Sequence, residues 1–154
     1  TVKNIKFSST KPFSYIMNSE GSFQNTIKFV NDSLITVSLD KIIQHNQVES
    51  HSTSLKLDYY LDYSYSDSYL LYFNFPSNIE VLGFEKSTIN YTDDLGSYYF
   101  DIKKSKPNQL KIQSKYKILK NRIPKENFNK LKLLNEQVKN IKNRRLIIKV
   151  KKAK

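Results

Sequence analysis

The sequence predicts a mainly β protein: an antiparallel β-sandwich, with a jelly roll as one fitting topology, carrying one C-terminal amphipathic α-helix. Short runs of alternating apolar residues recur at spacings of about 8 to 12 residues. Clusters of Asn, Asp, Ser, Gly and Pro stand between them. Only one stretch, 128–141, changes its apolar period from two to between three and four.

The strands follow in order. Phe13 to Met17, Phe23 to Val30 and Leu34 to Leu39 are parted by "NSEGS" and "NDS". The stretch "LDYYLDYSYSDSYLLYFNF", residues 57–75, holds six of the eleven tyrosines. Leu55, Leu57, Tyr59, Leu61, Tyr63 and Tyr65 alternate with Lys56, Asp58, Tyr60, Asp62 and Ser64, as in a half-buried strand. Ser66-Asp67-Ser68 reads as a turn, and Tyr69, Leu71, Phe73 and Phe75 resume the period. The expectation is a hairpin in which Tyr59, Tyr63, Tyr65, Phe73 and Phe75 face the core and Tyr60 faces water. Ile79 to Leu82, Thr88 to Tyr91, Tyr98 to Ile102 and Leu110 to Ile118 complete the series, with "TDDLGS" and "KKSKPNQ" as turns.

Pro124 suits the first position of a helix. Phe128, Leu131, Leu134, Val138 and Ile141 then form an apolar stripe, so a helix is expected over about 124–142. "RRLIIKVKK" predicts a last strand over about 145–151. No linker or repeat divides the chain. A single domain over 1–154 is the simplest organisation, with 1–10 as a candidate leading arm.

Composition sets the chemistry. A chain of 154 residues can bury roughly 70% of its unfolded surface. No apolar run approaches the about 18 residues of a membrane span. The absence of Cys excludes thiol nucleophiles, thiolate metal sites and disulfides. The chain begins with Thr, so its start carries no targeting information. Charge is uneven: residues 1–102 hold 7 Lys against 12 Asp and Glu, a net −5, whereas residues 103–154 hold 19 Lys and Arg against 2 Glu, a net +17. Lys139, Lys142, Arg144, Arg145, Lys149 and Lys151 form the candidate basic surface. Such a surface steers toward anions or keeps the protein dispersed. Nucleic-acid binders interleave it with exposed aromatics, and the basic third offers only Tyr116 and Phe128, so nucleic acid is not the expected partner.

Catalytic templates lack their parts. No phosphate loop or nucleophile elbow is present. His45, Glu49 and His51 could bind a metal weakly, but a polar connection between strands explains them as well. A Ser-His-Asp site would need one of these two histidines, and nothing near them in sequence argues for it. Asp58 and Asp62 share a strand face but lie about 13 Å apart, beyond the 5–9.5 Å or so of glycosidase pairs. Asp93, Asp94 and Asp101 lack a calcium-loop pattern. Asn31-Asp32-Ser33 and Asn90-Tyr91-Thr92 fit the glycosylation pattern, which matters only in a eukaryotic secretory setting. The sequence therefore predicts no catalytic residue, metal ligand or cofactor. Tyr60 and Tyr72, on the polar phase of the tyrosine-rich stretch, are the candidate ligand platform for a glycan or peptide.

The segments "FPSNIEVLGFE" and "LGSYYF", the helix start from Pro124 to Phe128 and the closing strand from Leu146 to Lys151 recur in this order and spacing in a known family. Over roughly residues 45–152 the chain resembles the C-terminal domain of Bacteroidota proteins with a transglutaminase-like core. The chain lacks that core's Cys, His and Asp, so no catalytic residue carries over. The resemblance implies a non-catalytic accessory sandwich whose partner is the adjacent core or another protein. It also implies a bacterial envelope or exported setting. The alternative from residues alone is a free-standing basic module for nucleic acid or another anionic polymer.

Overall fold

The structure, a computed structural model, describes residues 2–11, 14–21, 26–48, 57–83 and 88–151, with side chains described from Thr26 onward. Twelve strands and one helix are formed among these residues. β1 (Val2–Lys11) and β2 (Ser14–Gly21) pair as an antiparallel hairpin. The leading residues thus form β1, and "NSEGS" begins inside β2 rather than as a turn.

Two four-stranded antiparallel sheets dominate. The back sheet has the order β3 (Ile27–Asn31), β4 (Leu34–Ser38), β12 (Arg145–Val150), β7 (Ile79–Leu82). The front sheet has the order β6 (Tyr65–Asn74), β10 (Gln109–Ile118), β9 (Gly96–Lys106), β8 (Ile89–Thr92). A two-stranded sheet of β5 (Tyr59–Tyr60) and β11 (Arg122–Ile123) stands apart.

The alternation that predicted the strands also forms the core. On β10, Leu110, Ile112, Ser114, Tyr116 and Ile118 all point inward and are fully buried. Tyr98 and Phe100 of β9 lie beside them, and Ile35, Val37, Leu146 and Ile148 come from the back sheet. These side chains and the helix stripe form one continuous cluster. Pro124 leads into a 3-10 turn over Lys125–Asn127, and α1 runs Phe128–Lys142. All five residues of the predicted stripe are buried. Lys139 and Lys142 in its last turn complement the negative end of the helix dipole.

The tyrosine-rich stretch departs from its expectation. Ser66-Asp67-Ser68 is not a turn: β6 runs through it without interruption, and β10 pairs with it from Tyr65 to Asn74. Tyr63, read as core, is 69% exposed, and Tyr59 is exposed as well. Among the described residues of the segment before β6 only Tyr59–Tyr60 is strand, and Leu55 and Lys56 lie outside those residues. Tyr65, Phe73 and Phe75 do pack against the core, and Tyr60 faces water at 69% exposure. Asp67 occupies the inward phase with Tyr65, Tyr69 and Leu71. A carboxylate in that position is tolerated because a distant residue satisfies it.

Candidate functional site

That distant residue is His45, in the extended segment between β4 and β5. Its ring is buried against the rings of Tyr69, Tyr98 and Tyr116. Nδ1 lies 3.2 Å from Asp67 Oδ2, and Nε2 lies 2.7 Å from Ser114 Oγ. The Tyr98 hydroxyl is 3.2 Å from the same Ser114 Oγ. The assignment that leaves no polar atom stranded has Nδ1–H donating to Asp67, Ser114 donating to Nε2, and Tyr98 donating to Ser114. Burial outweighs the attraction of Asp67 and holds the His45 pKa below its ordinary value, which keeps the ring neutral. Burial likewise pushes the Tyr98 hydroxyl up to about 12, so it stays a donor.

Around this relay, residues 43–48 act as a strap across the front sheet and helix. The Asn46 amide donates to Asp67 Oδ2 at 3.1 Å. Tyr69 donates to the Gln44 carbonyl at 2.9 Å, and Tyr65 donates to the Asn46 carbonyl. On the helix side, Asn135 Nδ2 donates to the Val48 carbonyl at 2.8 Å, and Tyr116 donates to Asn135 Oδ1 at 2.9 Å. Gln47 closes the seam by donating to the Asn135 carbonyl at 3.3 Å.

Ser114, His45 and Asp67 thus share the connectivity of a nucleophile triad. A nucleophile must meet its substrate, however, and Ser114 has no exposed surface. Its hydroxyl is engaged with both His45 and Tyr98. The arrangement fastens the strap; a depression of about 270 Å³, lined by Asn46, Leu61, Asp62, Tyr63, Tyr65 and Asp67, includes Asp67 in its lining but neither His45 nor Ser114. Sequence reasoning missed Ser114, Asp67 and Asn135. The signal for them was a polar residue on an apolar phase, which demands a buried partner.

The other candidate residues fall as follows. Tyr60 lies in β5, opposite Arg122, while Tyr72 projects from the outer face of the front sheet at 51% exposure. They belong to different sheets and do not form one platform. Lys139, Lys142, Arg144 and Arg145 gather at the C-terminal end of α1, where Lys142, Arg144 and Arg145 share a depression with Ser38 and Asp40. Lys149 lies on β12, on the same exposed phase as Arg145, and Lys151 just past its end. Burial lowers the Lys142 pKa.

Among the described residues no group of three His, Asp or Glu could hold a metal ion, and Glu49 and His51 lie outside them. Both His45 nitrogens are already engaged. The carboxylates weighed for calcium are each occupied. Asp93 accepts from the Leu95 and Gly96 amides at 2.8 Å, Asp94 meets Lys130 and Lys120, and Asp101 meets Thr88 and Lys103. Asp58 accepts from Arg122 Nε and Nη2 at 2.9 and 2.7 Å, which holds its pKa below the ordinary carboxylate range. No described helix is long and apolar enough to cross a membrane.

Searches of the curated proteins and of the solved structures return no match. A family model does match, over residues 35–148, from the middle of β4 to the middle of β12. That span takes in the strap, its relay, the whole front sheet and the helix. On that match the chain belongs to the DUF3858 family, described as a domain of unknown function with a solved structure.

Proposed function

We propose that this is a non-catalytic accessory β-sandwich, carried beside a transglutaminase-like core and bracing it or mediating its protein or glycan contacts. The observation that supports this most is the closure of the relay. Among the described residues, the one constellation with nucleophile connectivity spends its hydrogen bonds holding the strap, and Ser114 meets no solvent. The motif order that resembles the C-terminal domain of Bacteroidota transglutaminase-like proteins lies largely within the DUF3858 match. The same resemblance supports an envelope or exported setting.

The test is made on the complete gene product. If an upstream transglutaminase-like core is present, deleting this domain lowers the core's melting temperature or abolishes capture of its partner, while Ser114→Ala leaves core turnover per folded molecule unchanged. A gene product with no such core, or hydrolysis by this chain that Ser114→Ala abolishes, overturns the reading. The second reading, a basic module for nucleic acid or another anionic polymer, draws support from the net charge of +12.

A further inference from the structure

The outer face of the front sheet carries an arrangement that folding alone does not favour. Its central strand, β10, presents Lys111, Gln113, Lys115 and Lys117 outward. Lys111 stands directly opposite Lys103 of β9 on one side and Tyr72 of β6 on the other. Lys115 stands opposite Tyr99 and Ser68, and Lys117 opposite Ser97 and Ser66. Like charges directly opposite on one face destabilise a sheet, and a face shaped for dispersal alone pairs opposite signs across strands. Here the only carboxylate on this face among the described residues is Asp101, 3.5 Å from Lys103. Lys111, Lys115 and Lys117 enter no ion pair among the described residues. Leu70 and Tyr72 lie bare on the same face at 54% and 51% exposure.

We propose that this face binds a linear, carboxylate-bearing polysaccharide. It supplies a ligand class for the contact role proposed above, but rests on the sheet itself and not on any attached core. The lysines would meet the carboxylates, and the relief of Lys103–Lys111 repulsion would favour the bound state. Tyr72, Tyr99 and Leu70 offer flat apolar ground for the C–H faces of sugar rings, and Ser66, Ser68, Ser97 and Gln113 offer partners for hydroxyls. The strand register sets Tyr72 and Tyr99 about 16 Å apart, from four residues along the strand and two strand spacings across it. A single-stranded nucleic acid wants a ring for each of several successive bases. Two rings that far apart, with the Gln113 amide between them and serine hydroxyls farther along the strands, suit a sugar chain better.

The test titrates the purified protein with polygalacturonate at about 0.15 M salt, with neutral dextran and oligothymidylate as comparators. Saturable binding of polygalacturonate that strengthens at lower salt, without binding of dextran, is expected. Lys111→Gln with Lys115→Gln should weaken it at least about tenfold, and Tyr72→Ala should weaken it with no change of charge. The same lysine variants should melt no earlier than the wild type. Arg144→Gln with Arg145→Gln, at the helix end, should leave binding as it was. Loss of affinity equal in the two charge variants, absence of saturable binding, or tighter binding of oligothymidylate overturns the proposal.

Discussion

Ser114 is a small residue with a large consequence. Removing its hydroxyl takes from His45 Nε2 its partner at 2.7 Å and from the Tyr98 hydroxyl its acceptor, both at buried side chains. Ser114→Ala should cost about 1–3 kcal/mol, read from a denaturant titration. His45 makes a second prediction, with a definite sign. Its folded pKa lies below its ordinary value of 6.5, so the unfolded chain takes up the proton first. The stability it contributes is complete above pH 6.5 or so, falls as pH drops through that value, and levels off below the folded pKa. Urea midpoints between about pH 7.5 and pH 5.5 should fall in the wild type and fall less in His45→Gln; equal slopes would refute this. Gly96 gives a third. A methyl group there would lie 2.3 Å from the Lys117 carbonyl and 2.8 Å from Leu134 Cδ2. Gly96→Ala should therefore cost about 1–3 kcal/mol or more, and Leu134→Ala should rescue it little, because the backbone contact stays. None of these roles was legible locally. A serine in an apolar phase and an aspartate between two serines carry their meaning only once β6, β10 and the strap are brought together.

Among the elements, the helix was the most legible. Phe128, Leu131, Leu134, Val138 and Ile141 are spaced for one face, and no competing pattern overlaps them. Leu131→Ala should cost about 2–5 kcal/mol, since its side chain is fully buried and the site cannot collapse freely. β10 and β12 were legible for the same reason at period two. The segment from Leu57 to Ser68 was not. Its alternation is regular, yet only its last four residues, Tyr65 to Ser68, belong to a long strand, and the chain before them is held by a two-residue pairing with β11 and by Arg122 and Lys125 at Asp58. Period two identifies a face only where a neighbouring strand exists to make that face. Tyr63→Ala and Tyr60→Ala should accordingly both stay within about 0.5 kcal/mol. Tyr65→Ala should be costly, since it loses its packing on Tyr116 and its bond to the strap.

Across the whole molecule, the sandwich class with its C-terminal helix was readable because both periods were clean. The pairing order was not readable: β12, last in sequence, sits between β4 and β7, and β10 sits between β6 and β9. Such order is set by which faces fit, and a single sequence does not display it. The core joins both sheets and the helix in one cluster, so the described core should unfold as a unit. Near-ultraviolet signals from the tyrosines and the far-ultraviolet helix signal should share one transition midpoint. Two separated midpoints would mean that the sheets hold independently.

The strap has a consequence in time as well as in space. His45 meets Ser114 across 69 residues of chain, and Asn135 meets Val48 across 87. Neither contact can form before β10 and α1 exist in place, and loops of that length close late because their entropy must be overcome first. The strap should then be the last part to settle and the first to lift. His45→Gln and Ser114→Ala should speed unfolding severalfold in stopped-flow experiments while leaving the refolding rate nearly unchanged. In a cell the same order would leave the inward side of β6 briefly bare after the sheets have met, and the speed with which residues 43–48 cover it would set how long the young chain stays adhesive.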